Sequence, residues 1–128
     1  MNVKIDTKEK FTVLTPQAAI LSANMTEDME KLADYSTNLV PHLVINMNEV
    51  KEISVKPARV LADIQQRFYE RDHSFVICCL QPEVEAVFEQ EELIDVMNIT
   101  LTESEAWDIV QMEEIERELM RDFEEDGQ

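Results

Sequence analysis

A chain of 128 residues, 45% of them hydrophobic, can build one domain around its own core, which argues against a disordered protein. Its formal charge of −17 is repelled by phosphate backbones and anionic lipid, which argues against nucleic-acid binding and against a direct role on an anionic membrane surface. The only glycine is Gly127, so glycine-rich loops that cradle nucleotide phosphates are excluded.

In chain order, Val3–Ile5 alternates as a short strand. Phe11–Leu14 follows after a Lys/Glu turn, and together they predict a hairpin. A helix is expected from Thr26, with Glu27 and Asp28 in a first turn where carboxylates suit the helix dipole. Met25, Met29, Leu32, Ser36 and Leu39 share its face, and Pro41 ends the region. His42–Met47 reads as a mostly buried strand, followed by a turn over Asn48–Lys51. A second helix is expected over Pro57–Glu70, with Ala58, Leu61, Ile64, Gln65 and Phe68 facing inward. Arg59, Asp63, Gln66 and Arg67 lie largely outside that face. Ser74–Leu80 is a continuous strand-like run of the kind buried on both faces of a sheet. Pro82 opens a short helix through Val84, Val87 and Phe88, and Val96–Ile99 is a short strand. Thr102–Glu105 has the capping-box pattern that starts the last helix. The order β-β-α-β-α-β-α-β-α implies an α/β fold. A mixed, mainly parallel sheet of four to five strands would be flanked by about four helices.

Chemistry-bearing clusters are sparse. Cys78 and Cys79 are adjacent, so on a strand they point to opposite faces and make poor joint ligands or disulfide partners; buried thiols in a reducing compartment are expected. His42 and His73 have no second ligand at metal spacing, so neither a metal nor another cofactor is expected. The glutamates lie along helix faces rather than as a cleft pair, and Trp107 reads as packing, so no catalytic residues are assigned. No run approaches the ~20 apolar residues of a membrane span. Met1–Asp6 lacks the apolar stretch of a signal peptide, and a cytoplasmic protein is expected. Charge is uneven: residues 1–82 hold 11 acidic and 9 basic side chains, whereas residues 83–128 hold 17 and 2. Solubility is the first reading of that acidic half, and a basic partner is the second.

The run Leu80–Phe88, then Leu93, Val96, Asn98, Ile99 and Thr102–Ala106, resembles the second half of STAS domains, and Leu43–Val50 resembles their central strand and the turn after it. The resemblance covers roughly residues 1–112, which would form one STAS-like domain, with 113–128 as an acidic helical extension. It implies a non-enzymatic anti-sigma-factor antagonist that binds a kinase-like anti-sigma factor. In the family, an Asp-Ser-Ser-Gly-type segment follows the central strand, and that kinase phosphorylates its first serine. The matching segment here places Ser54 at the aspartate, Val55 at the phosphorylated serine, Lys56 at the second serine and Pro57 at the glycine. Valine has no hydroxyl to phosphorylate.

Three readings of the segment follow. The switch is lost while the binding surface survives; or Ser54 is a displaced phosphoacceptor beside Lys56 and Arg59; or Ser54 is simply a helix cap. The implied contact surface is Glu52, Ser54, Val55, Lys56, Pro57, Ala58 and Arg59, with Asp63 and Arg67 nearby. A structural STAS subunit of a transporter or larger assembly is the alternative role. Beyond the resemblance, Met112, Ile115, Leu119 and Phe123 continue an apolar stripe flanked by glutamates, with Arg117 and Arg121 spaced to pair with them. The stripe either packs back on its own sheet or docks a partner or a second copy, as in a homodimer.

Overall fold

The computed structural model describes residues 1–126. Strand β1 (Val3–Thr7) turns into antiparallel β2 (Phe11–Pro16), the turn closed by the Lys8 N–H donating to the Phe11 carbonyl at 2.8 Å. Then come β3 (Ile20–Leu21), a 3₁₀ turn at Ala23–Met25, α1 (Thr26–Thr37) and β4 (His42–Asn46). β5 (Glu52–Ile53), α2 (Val55–Glu70), β6 (Phe75–Cys78), α3 (Pro82–Gln90), β7 (Ile99–Thr100) and α4 (Glu103–Asp126) complete the chain. The main sheet has the order β1-β2-β4-β6-β7, and every pairing after the first hairpin is parallel. The expected α/β architecture, with four helices on a mainly parallel sheet, is what the chain adopts.

Alternation along the strands sorts the core into two layers. Leu14, Leu43, Ile45, Phe75 and Ile77 point to one face, where they pack with Met29 and Ala33 of α1, Leu61, Ile64 and Phe68 of α2, and Val84 and Phe88 of α3. Phe11, Val13, Val44, Val76 and Cys78 point to the other, against Ala106 and Val110 of α4. Burial on both faces is why β4 and β6 read as unbroken apolar runs.

Several boundaries differ from the sequence expectation. α2 begins at Val55 rather than Pro57; Pro57 still sits in the first turn, where no N–H is required. α1 ends at Thr37, which leaves Leu39 beyond it and 44% exposed, while Ala33 takes the inward place. Val96–Asn98 is not strand. The amide of Gln65 captures that segment, donating to the Val96 carbonyl at 2.8 Å and accepting the Asn98 N–H at 2.9 Å, so the ladder starts only at Ile99. A second parallel pair, β3 with β5, was not expected. The start of α4 keeps part of the capping box: the Glu105 N–H donates to Thr102 Oγ1 at 3.2 Å. α4 runs unbroken through residue 112, so the boundary drawn there falls inside a helix.

The C-terminal stripe does not pack back on the sheet. Met112, Ile115, Leu119 and Phe123 are 56 to 76% exposed. At about 100° per residue they lie on the far side of α4 from Ala106 and Val110. The two classes of apolar residue should respond differently to truncation. Phe75→Ala is expected to lower unfolding free energy by about 3–5 kcal/mol, and Leu119→Ala to stay within about 0.5 kcal/mol of wild type, both measured by urea denaturation.

Candidate functional site

The loop after β4 is held from three sides by backbone and amide hydrogen bonds. Asn46 ends the strand; its Nδ2 donates to Glu103 Oε1 at 3.1 Å, and its Oδ1 accepts the Asn48 N–H at 3.0 Å. The Val50 N–H closes a turn on the Met47 carbonyl at 3.0 Å, and Gln81 Nε2, at the start of α3, donates to the Asn48 carbonyl at 2.7 Å. On the other flank the Ala19 carbonyl accepts the N–H groups of Lys51 and Glu52, and the Leu21 carbonyl accepts that of Ser54 at 2.9 Å. Val50 and Ile53 anchor the segment in the core. A loop tied down in this way presents its outward side chains on a rigid base.

The structure brings together most, not all, of the residues assigned to the surface. Glu52, Ser54, Val55 and Lys56 are exposed along the loop and the start of α2. Ser54 occupies the cap position with extended backbone (φ −80°, ψ 163°), but its side chain makes no capping hydrogen bond. Arg59, one turn on, is exposed, and its Nε and Nη2 donate to Glu91 Oε1 at 3.0 and 2.6 Å. Asp63 is exposed on the next turn. Pro57 and Ala58 point inward with the buried face of α2 and offer nothing to a partner. Arg67 is half-buried and lies about 12 Å from Arg59 along the helix axis. Two features had no sequence signal. Ile20, 50% exposed, faces Glu52 across the β3–β5 ladder and adds apolar surface to the rim. Glu91 holds Arg59 from the end of α3.

A second polar cluster lies at the opposite end of the strands, by the amino ends of β4 and β6, and fastens α4. The Ser74 N–H donates to His42 Nδ1 at 2.9 Å, so that nitrogen keeps its lone pair; the proton therefore sits on Nε2, which donates to Glu114 Oε2 at 2.8 Å. Glu114 also takes Lys10 Nζ at 2.5 Å. Beside it, the Tyr69 hydroxyl donates to Glu113 Oε1 at 2.7 Å and accepts from the Asn98 amide, while the Tyr69 ring lies under the Arg117 guanidinium. Burial pushes the His42 imidazole below its ordinary value, against the pull of Glu114. His73 is lowered too, by burial and then by His42. The Lys10 hydrogen bond is the main cause holding the Glu114 carboxyl below its ordinary range. Burial, and then Cys79, raises the Cys78 thiol, which therefore stays protonated. Among the described residues no three His, Cys, Asp or Glu side chains are placed to hold a metal ion, and no helix is long and apolar enough to cross a membrane.

The STAS domain family model matches residues 2–106. A candidate anti-sigma factor antagonist of Thermotoga maritima superposes with a TM-score of 0.76 at 17% identity, over 85% of this chain and 94% of that one. The anti-sigma factor antagonist SpoIIAA of Bacillus, solved in its unphosphorylated form, gives 0.69 at 15% identity over 86% and 96%; its phosphorylated form has also been solved. The murine Solute Carrier 26 family member A9 anion transporter gives 0.67 at 12% identity over 80% of this chain and 18% of that one. At these identities the likeness establishes the fold. No curated protein sequence matches the chain.

The buried imidazole sets a pH dependence of stability. The unfolded chain takes up a proton near pH 6.5, which the folded chain refuses until lower pH, so stability falls as pH drops through that window. Glu114 acts in a lower window: its stabilisation is present above 4.5 and is lost as pH falls through its lowered folded value. His42→Gln should flatten the fall in urea midpoint below pH 6.5, with His73 leaving a residual slope. Parallel profiles for the variant and wild type would contradict this assignment.

Proposed function

Because the chain belongs to the STAS domain family, we propose that it is a non-enzymatic, cytoplasmic binding module of the anti-sigma-factor-antagonist type, whose partner is a kinase-like anti-sigma factor. The observation that carries this reading is the exposed, rigidly based start of α2 at the carboxyl end of β4, where open α/β sheets present their sites. Glu52, Ser54, Val55 and Lys56 form the contact, with Arg59 and Asp63 beside them and Ile20 adding an apolar edge. Val55 stands where the family resemblance places the phosphoacceptor serine, so the phosphorylation switch is lost and binding is constitutive or controlled elsewhere. Pro57 fills the glycine position with a ring packed into the core, which leaves no room for backbone to close on an anion there.

A second role is favoured by one observation. The anion transporter carries a domain of the same fold within a chain far longer than this one, and a structural STAS subunit of a transporter or larger assembly needs no phosphoserine. The two roles separate by what is recovered with the intact protein: a kinase-like ATP-binding protein, or transporter subunits.

Binding is expected to depend on the charge and shape of the α2 start. Lys56→Glu combined with Val55→Asp should weaken the complex with the kinase-like partner by about 2 kcal/mol or more, roughly 30-fold. Both positions are exposed, so the urea midpoint should not move. Arg59 is less informative alone, since its reversal also disturbs Glu91. Incubation with the partner kinase and ATP should add no phosphate by intact-protein mass spectrometry; phosphate on Ser54 would instead make that hydroxyl the displaced acceptor.

A further inference from the structure

The outer face of α4 carries an apolar stripe that the sheet does not use. Met112, Ile115, Leu119 and Phe123 fall within an arc of about 80°, and all four are more than half exposed. The charges that α4 itself places around that arc all have one sign; Lys8 and Lys10 of the β1–β2 turn reach the groove beside Ile115 and Glu118, but each is already paired, with Asp6 and Glu114. Between residues 105 and 123, the charged side chains within about 60° of the arc or inside it are Glu105, Asp108, Glu116, Glu118 and Asp122, all acidic and all exposed. The two arginines of the helix lie on its other side. Arg117 sits over the Tyr69 ring at 5.9 Å, and Arg121 lines the groove beside Pro41 and His42.

We propose that this face is a docking surface for a basic amphipathic segment of a protein partner, whose apolar stripe meets that of α4 and whose flanking lysines or arginines meet its acidic borders. Charge complementarity selects this occupant over the others. A second copy would set acidic flank against acidic flank along the whole contact, and like charges bordering a helix seam disfavour pairing. Phosphate backbones and anionic lipid are repelled by the same residues. The face lies apart from the α2 start, so the inference does not rest on the function proposed above.

The test uses the full chain and a synthetic amphipathic helix peptide with leucine at its core positions and lysine at its flanks, beside a counterpart with glutamate at the flanks, each titrated by calorimetry. The lysine peptide should bind and the glutamate peptide should not. Leu119→Ser with Phe123→Ser leaves the charge unchanged and should weaken the lysine peptide about tenfold or more. Glu116→Lys with Glu118→Lys should do the same while keeping the stripe. If the serine variant misfolds by circular dichroism, the lysine variant carries the test alone. Absence of binding by wild type would overturn the proposal, as would equal binding of both peptides, or full binding of the lysine peptide by a folded serine variant or by the lysine variant. A concentration-dependent dimer in sedimentation equilibrium, dissolved by either variant, would also overturn it by making a second copy the occupant.

Discussion

Everything in this molecule depends on a sheet that is buried from both sides. β4 and β6 have α1, α2 and α3 against one face and α4 against the other, so each strand residue has a fixed direction and a one-residue slip would exchange two different cores. The first layer is broad, built around Phe75, Phe88, Leu61 and Ile64. The second is narrow, and Ala106 lets α4 approach the small and branched side chains of Val44, Val76 and Cys78. Because one helix forms most of that second layer, its seat needs further fastening. The cluster of His42, Glu114, Lys10, Glu113 and Tyr69 supplies it at the amino end of the strands.

This division of labour separates the two ends of the sheet. At the amino end of the strands, polar groups that are mostly buried or half-buried join elements to one another. At the other, the loop after β4 is held by its own backbone and by Gln81, which frees the side chains of the α2 start. A surface of this kind suits recognition of another protein without rearrangement, since little conformational freedom remains to be lost on binding. The exposed Val55 adds apolar surface to the start of α2.

Much of this was legible in the sequence, for identifiable reasons. Phe75–Cys78 shows itself as a strand because burial on both faces leaves no polar residue in the run, and Thr102–Glu105 because a cap needs those side chains at that spacing. The two-residue strands β3 and β5 were not legible, because their pairing is made by backbone groups about thirty residues apart, with no periodicity to register. Val96–Asn98 has strand composition, yet a single amide from Gln65 takes its hydrogen-bonding groups. Ala58 points inward as its helical spacing to Leu61, Ile64 and Phe68 requires, so its place in the contact surface conflicts with its place on the buried face; Pro57 is drawn in beside it because the helix already begins at Val55. For α4 the sequence displayed the stripe, but only the placement of Ala106 and Val110 decides that it faces outward.

Hydrogen exchange of the chain, alone and with the kinase-like partner proposed for it, addresses the central claim most directly, because it maps the contact without altering it. The account predicts slowed exchange of backbone amides across Glu52–Arg59, centred on the start of α2, with the sheet core unchanged. Binding that leaves exchange across this segment as it is in the free protein would contradict the account.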